Sequence, residues 1–224
     1  HPLPKSNHKV SNVNIIKEQP GPKGPAKLAN DIVSSWKIFF PDDFITKIVF
    51  FTNQKLEEFS TRTEQYDKER IFRPTDSDEI RAVIGLLYLM GVLKSAHTNL
   101  CDLWATDGTA PPIYRSVMCL QRFQTLLSAF RFDDGTTRKE RRKIDNMAPI
   151  RDVFENFVSR CQSSFTMTEN VTIDEMLDAF RGRCKFRIYM PNKPARYGLK
   201  IWALCDAKLF YTSKMELYCG TQPS

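Results

Sequence analysis

The spacing of apolar and polar positions changes character near residue 166. Before it, apolar side chains recur every three to four residues, as on one face of a helix. After it, β-branched and aromatic residues gather in short runs divided by turn residues. In the first regime, Asp31 to Phe59 reads as helix, with Pro41, Asp42 and Asp43 supplying a start whose acids suit the positive helix end. Phe44, Ile45, Ile48, Val49 and Phe51 give it a wide apolar surface. The charged stretch Lys55 to Arg73 predicts a loop or a frayed end. Asp76 and Glu79 have capping-box spacing and start a helix that runs to Leu93. Ser116 is expected to cap a further helix bearing Leu120, Phe123, Leu127 and Phe130. Pro149 opens another, with Ile150, Val153, Phe154, Phe157 and Cys161 on one face. The basic hexamer Arg138 to Lys143 between these two reads as a solvated loop, with a phosphate contact as the alternative.

In the second regime, Val171–Met176, Phe186–Met190, Leu199–Cys205 and Phe210–Tyr218 read as strands. Pro191-Asn192-Lys193-Pro194 and Arg196-Tyr197-Gly198 supply turn chemistry. Strands with no helices between them imply an antiparallel meander. The chain therefore divides into a Pro-rich, basic, flexible arm (1–30), a helical domain (31–165) and a strand region (166–224). The fold class is α+β. The longest apolar run, Ala82 to Leu93, has 12 residues. That falls short of the ~20 that span a bilayer, so it predicts a buried helix and no membrane partner.

Charge sharpens this picture. The 224 residues carry a formal net charge of +7 and a pI near 9.1. The window Ala179 to Cys205 alone holds Arg181, Arg183, Lys185, Arg187, Lys193, Arg196 and Lys200 with no Asp or Glu. Cations so concentrated repel one another and point to a polyanionic partner. Just ahead of them, Asp174 stands among β-branched residues on a predicted strand. A carboxylate followed at once by a basic run suits a site that holds a metal ion and a phosphate backbone together. On a regular strand Glu175 faces the other way, while Asp178 shares the face of Asp174 and could approach it. Tyr189, Tyr197 and Trp202, interleaved with the cations, could stack on bases or pack in a core. Six Cys without CxxC spacing, and only His1, His8 and His97, argue against a zinc site and for free thiols in a reducing compartment. A first residue His1 rather than Met reads as a piece of something longer.

Thr172-Ile173-Asp174-Glu175, Phe180-Arg181-Gly182-Arg183-Cys184, Pro191-Asn192-Lys193-Pro194, Tyr197-Gly198-Leu199-Lys200 and Cys205-Asp206 together resemble the start of the catalytic domain of piggyBac-type DNA transposases. The resemblance extends upstream through Trp36–Phe40, Asp78-Glu79-Ile80, Arg122-Phe123 and Phe130–Asp134, and covers residues 14 to 220. It implies a helical dimerisation and DNA-binding domain followed by the first antiparallel strands of an incomplete ribonuclease-H-like fold. It also implies a nuclear protein that binds double-stranded DNA at element ends and TTAA sites, with a possible homodimer. In that family Mg²⁺ is held by three Asp, of which Asp174 matches the first. Asp206 matches a residue that closes the second strand and is not catalytic. Arg181, Arg183, Lys185, Arg187, Lys193, Arg196 and Lys200 are the expected DNA contacts. With one carboxylate of three, these residues are expected neither to cut nor to join strands. The alternatives are a non-catalytic DNA-binding or dimerisation module and a truncated relic without function.

Overall fold

A computed structural model describes residues 17–64 and 67–221. Its helices in chain order are α1 (Ile32–Phe39), α2 (Asp42–Arg62), the single turn α3 (Lys68–Ile71), α4 (Ser77–Val92), the short α5 (Leu100–Leu103) and α6 (Ile113–Val117), α7 (Leu120–Ala129), the single turn α8 (Arg138–Arg141) and α9 (Arg151–Ser164). The strands are β1 (Gly21–Pro22), β2 (Phe165–Thr166), β3 (Val171–Ala179), β4 (Ile188–Tyr189), β5 (Tyr197–Asp206) and β6 (Thr212–Leu217). The chain groups into two compact units. One is Phe40–Glu155 with the residues from Cys219 on; the other joins the residues up to Phe39 to Asn156–Tyr218.

In the first unit the sequence rules hold where they are local. Pro41 breaks the expected 31–59 helix and caps α2 in an extended conformation, because it forces the residue before it out of the helical region. The α2 helix then runs to Arg62, through a stretch expected to fray. Glu58 explains this by pairing with Lys55 at 2.7 Å and Arg62 at 2.8 Å, three residues back and four ahead. At the start of α4, Asp76 accepts from the backbone N–H groups of Asp78 (3.0 Å) and Glu79 (2.8 Å). Only this half of the expected capping box forms. The Glu79 carboxylate accepts instead from Arg122, Thr75 and Arg73.

Ser116 does not cap α7. It lies in α6 and donates to the Ile113 carbonyl at 2.9 Å, while α7 starts after Cys119 without a side-chain cap. Its buried stripe is Arg122, Phe123, Leu126 and Ala129, and Leu127 is exposed. The core of this unit gathers Leu56, Val83, Leu86, Leu103, Trp104, Tyr114, Phe123, Leu126 and Ala129. Trp104 lies 5.1 Å from the Tyr114 ring and 4.9 Å from that of Phe123. Its indole N–H donates to the Met118 carbonyl at 2.8 Å, so this large ring is buried with its polar atom satisfied.

The basic hexamer is not a plain solvated loop. Its first part forms α8, and Arg138 and Arg141 both turn onto the buried carboxylate of Asp133. Arg141 also donates to the Asp134 and Ala148 carbonyls, each at 2.8 Å, and Lys143 pairs with Glu140 at 2.5 Å.

In the second unit, the described end of the arm is tied down rather than unpacked. The β1 strand pairs antiparallel with β2, and Lys23 N–H donates to the Ser164 carbonyl at 2.8 Å. Residues 1–16 of the expected arm lie outside the described residues. The main sheet is built on β5. Along one edge runs β3, in register from Val171↔Asp206 to Ala179↔Gly198. Along the other run β6 and the two-residue β4. Pairing is antiparallel as expected, but not sequential: β3 skips β4 and joins β5 directly. The predicted strand Phe186–Met190 shrinks to Ile188–Tyr189, bounded by Pro191 and Pro194, which cannot donate to a ladder. Residues 180–196 thus form mostly a long excursion at the tip of the β3–β5 hairpin.

Candidate nucleic-acid interface at the tip of the sheet

Strand periodicity sorts the acids of β3 as expected. Asp174 sits opposite Ala203, its side chain exposed, and its Oδ1 accepts from the Glu175 backbone N–H at 2.7 Å. Glu175 lies opposite Trp202 on the other face and forms an ion pair with Lys200 at 2.5 Å. The Lys200 ammonium also stands 4.4 Å from the centre of the Trp202 ring. Asp178 shares the face of Asp174, but four residues of regular strand hold them ~13 Å apart. One ion cannot bridge that distance. Among the described residues no group of three or more His, Cys, Asp or Glu is placed to hold a metal. A Mg²⁺ ion takes several oxygen ligands in near-octahedral geometry, and Asp174 offers one carboxylate toward such a set.

The basic run divides by role. Lys200 is neutralised by Glu175, and Lys193 donates to the Glu175 backbone carbonyl at 3.0 Å. Arg187 donates to the Arg181 and Gly182 carbonyls, both at 3.2 Å, and lies 5.5 Å from the Tyr197 ring. It closes the excursion on itself. Arg181, Arg183, Lys185 and Arg196 are exposed and make no side-chain hydrogen bond or ion pair with a described residue. Arg181, Arg187 and Arg196 line one cleft of about 550 Å³ with Ala179, Pro194, Ala195 and Tyr197, and no carboxylate lines it. Tyr197 and Tyr189 are each half-exposed, with ring centres 4.8 Å apart, so neither is buried in a core, and Tyr197 lies beside Arg187 in the cleft. This cleft starts five residues beyond Asp174 along β3, ~17 Å away.

Two residues shape the ends of the β3–β5 ladder. A Cβ on Gly198 would lie 2.1 Å from the Asp178 carbonyl oxygen, so only glycine lets β3 and β5 approach there. At the other end of β5, buried Asp206 accepts from the backbone N–H groups of Thr168 (2.5 Å), Leu209 (2.8 Å) and Lys208 (2.9 Å). Burial alone would raise its pKa, but these donors outweigh burial and hold it at about 2. Asp206 organises turns and is not poised to bind a metal. Sequence reasoning missed the Glu175–Lys200 pair, which the β3–β5 register alone could have revealed.

Helices that precede an antiparallel sheet, with an exposed acid on its first long strand, define a mixed α+β protein. A family model described as Transposase IS4 matches residues 33–224, and the chain belongs to that family. It is similar to the human PiggyBac transposable element-derived protein 3, at 23% identity over 149 residues, 66% of this chain and 24% of that protein. The human Chimeric ERCC6-PGBD3 protein matches at 23% over 149 residues, 14% of its length. Among solved structures, the chain superimposes on a piggyBac transposase in a synaptic complex with hairpin DNA, with a TM-score of 0.82 and 36% identity. That match covers 91% of this chain and 41% of that one. The chain thus spans about a quarter of the human relative's length.

Proposed function

We propose that this chain is a DNA-binding part of a piggyBac-type transposase or of a protein descended from one. Its sheet-tip cleft tracks the phosphate backbone, and Asp174 is the first of the carboxylates that hold Mg²⁺ in a complete site. The carrying observation is the cleft lined by three Arg and Tyr197 with no acid, next to further uncommitted cations. Arg181, Arg183, Lys185 and Arg196 make the phosphate contacts, Arg187 holds the loop, and Lys193 and Lys200 brace the strand that bears Asp174. A structural neighbour solved with hairpin DNA supports a duplex partner. Such a role belongs in the nucleus, where a fluorescently tagged chain should concentrate.

Titration of a terminal-repeat duplex flanked by TTAA, at a series of salt concentrations, tests the reading. Arg181→Ala/Arg196→Ala should flatten the salt slope by about two, near 0.9 per lost phosphate contact. An unchanged slope in a folded double variant would refute the cleft assignment. With Mg²⁺ added, residues 1–224 alone should leave that duplex unnicked, because one carboxylate cannot assemble the metal site that the chemistry needs. Nicking that Asp174→Ala abolishes would show this last expectation to be wrong.

A further inference from the structure

The helical unit holds an electropositive cleft of its own. It is about 450 Å³ in volume, and its charged lining is Lys55, Glu58, Arg62, Arg131 and Arg138. Glu58 is the one acid among them and is already shared by Lys55 and Arg62. Arg138 is turned to Asp133, which Arg141 also claims. Five cations therefore divide two carboxylates, leaving positive charge in excess.

Arg131 is the member that makes no direct ion pair, although the Glu58 and Asp133 charges reach it. Its backbone N–H donates to the Thr52 hydroxyl at 3.2 Å, which fixes its position. Its NH1 donates to the Ser128 and Phe130 carbonyls at 3.1 and 2.7 Å. The Nε and NH2 groups find no acceptor among the described residues. Burial, and then the charge of Arg138, hold the pKa of this guanidinium below its ordinary value, against the opposing pull of Glu58 and Asp133. A cleft of about 450 Å³ has room for an anion. A guanidinium with two free donors on one edge matches two oxygens of a phosphate.

We propose that this cleft is a phosphate site, with Arg131 the bidentate donor and Arg62 and Lys55 closing on the anion, and that its occupant is a phosphodiester group of duplex DNA. The inference rests on the DNA-binding reading above and adds a contact from the helical unit, independent of the sheet tip. An open trough rimmed by long cations suits a group carried on an extended backbone.

The test measures binding of a fluorescein-labelled duplex to the full chain across a salt series. Arg131→Met should weaken binding alike for unrelated duplex sequences and lower the salt slope by about one. Arg62→Met guards against misfolding: Arg62 is 73% exposed, and its loss should also reduce the slope. Arg131→Lys, which keeps the charge, should restore most of the slope. If wild type and Arg181→Ala/Arg196→Ala behave as proposed, but Arg131→Met and Arg62→Met leave slope and affinity unchanged, this site is overturned and the sheet-tip reading stands. No salt-dependent binding by wild type would overturn both.

Discussion

Arg122 offers a severe test of the packing argument, because a buried cation is held there by five hydrogen bonds. Its Nε and NH2 grip both oxygens of Glu79 at 2.9 and 2.6 Å. The same guanidinium donates to the carbonyls of Arg73 (2.9 Å), Pro74 (3.2 Å) and Ile71 (3.3 Å). The two side chains are only 7% and 13% exposed. Arg122→Met keeps the aliphatic stem but strands three carbonyls and a half-buried carboxylate. Breaking one partner of a buried pair costs about 3–5 kcal/mol. Thr75 and Arg73 still hold Glu79, so the lower end, ~3 kcal/mol, is the expected loss in urea unfolding followed by far-UV circular dichroism. Replacing both partners (Arg122→Met/Glu79→Leu) should recover at least ~1 kcal/mol, since the uncompensated charge is gone. The pH dependence supplies an independent check. Burial pushes the Glu79 pKa up, but Arg122, Thr75 and Arg73 together bring it below 4.5 in wild type, so its contribution is present above that pH and lost below. Without Arg122, burial dominates and the folded pKa rises above the unfolded one. The deficit of the variant should therefore narrow as pH falls from neutral towards about 4.5. A loss under ~1 kcal/mol, or a double variant no more stable than the single, would refute the claim that this pair locks α4, α7 and the residue 71–74 turn together.

Two further predictions concern the sheet. Gly198→Ala puts a Cβ 2.1 Å from the Asp178 oxygen and 2.9 Å from Leu177 Cγ, so β3 and β5 must part; a loss of ~1–3 kcal/mol is expected. Amide exchange at Phe180, which donates to the Tyr197 carbonyl, should accelerate, and unchanged exchange and melting temperature would rule out the close approach. Asp206 is held at about 2 against an ordinary 3.8, so it stabilises the fold above pH ~4, and that contribution disappears as pH drops through about 2. Melting temperature against pH should show this acid limb in wild type and a flatter one in Asp206→Asn, with the variant less stable at neutral pH. Parallel curves would assign the acid limb to other carboxylates.

What was legible in the sequence, and what was not, divides by the range of the interaction. Asp76 capping α4, the start that Pro41, Asp42 and Asp43 give α2, and the antiparallel habit of the last fifty residues all follow from neighbours within a few positions, so composition and period betray them. Glu79 had the spacing of a capping-box acid and did something else, because a buried Arg 43 residues away offers it a charged partner where the Asp76 amide offers one weak bond. The expected 31–59 helix failed in the same way at its far end: ion pairs around Glu58 carried α2 onward where charge density alone suggested fraying. The instructive case is the charge window of residues 179–205. Counting along the chain found seven cations and no acid, yet antiparallel pairing sets β5 from Leu199 onward beside residues 171–178, outside the window, so Lys200 meets Glu175, and Lys193 reaches the Glu175 carbonyl from the excursion. Charge excess is a property of the folded surface and not of a segment. What survives the pairing is the smaller set at the hairpin tip, where the excursion of residues 180–196 has few acidic neighbours to meet. The same geometry separates the two halves of the sequence-level site. Asp174 and the cleft lie on one hairpin but ~17 Å apart, a spacing that fits a polymer touching both and does not fit a small anion held between them.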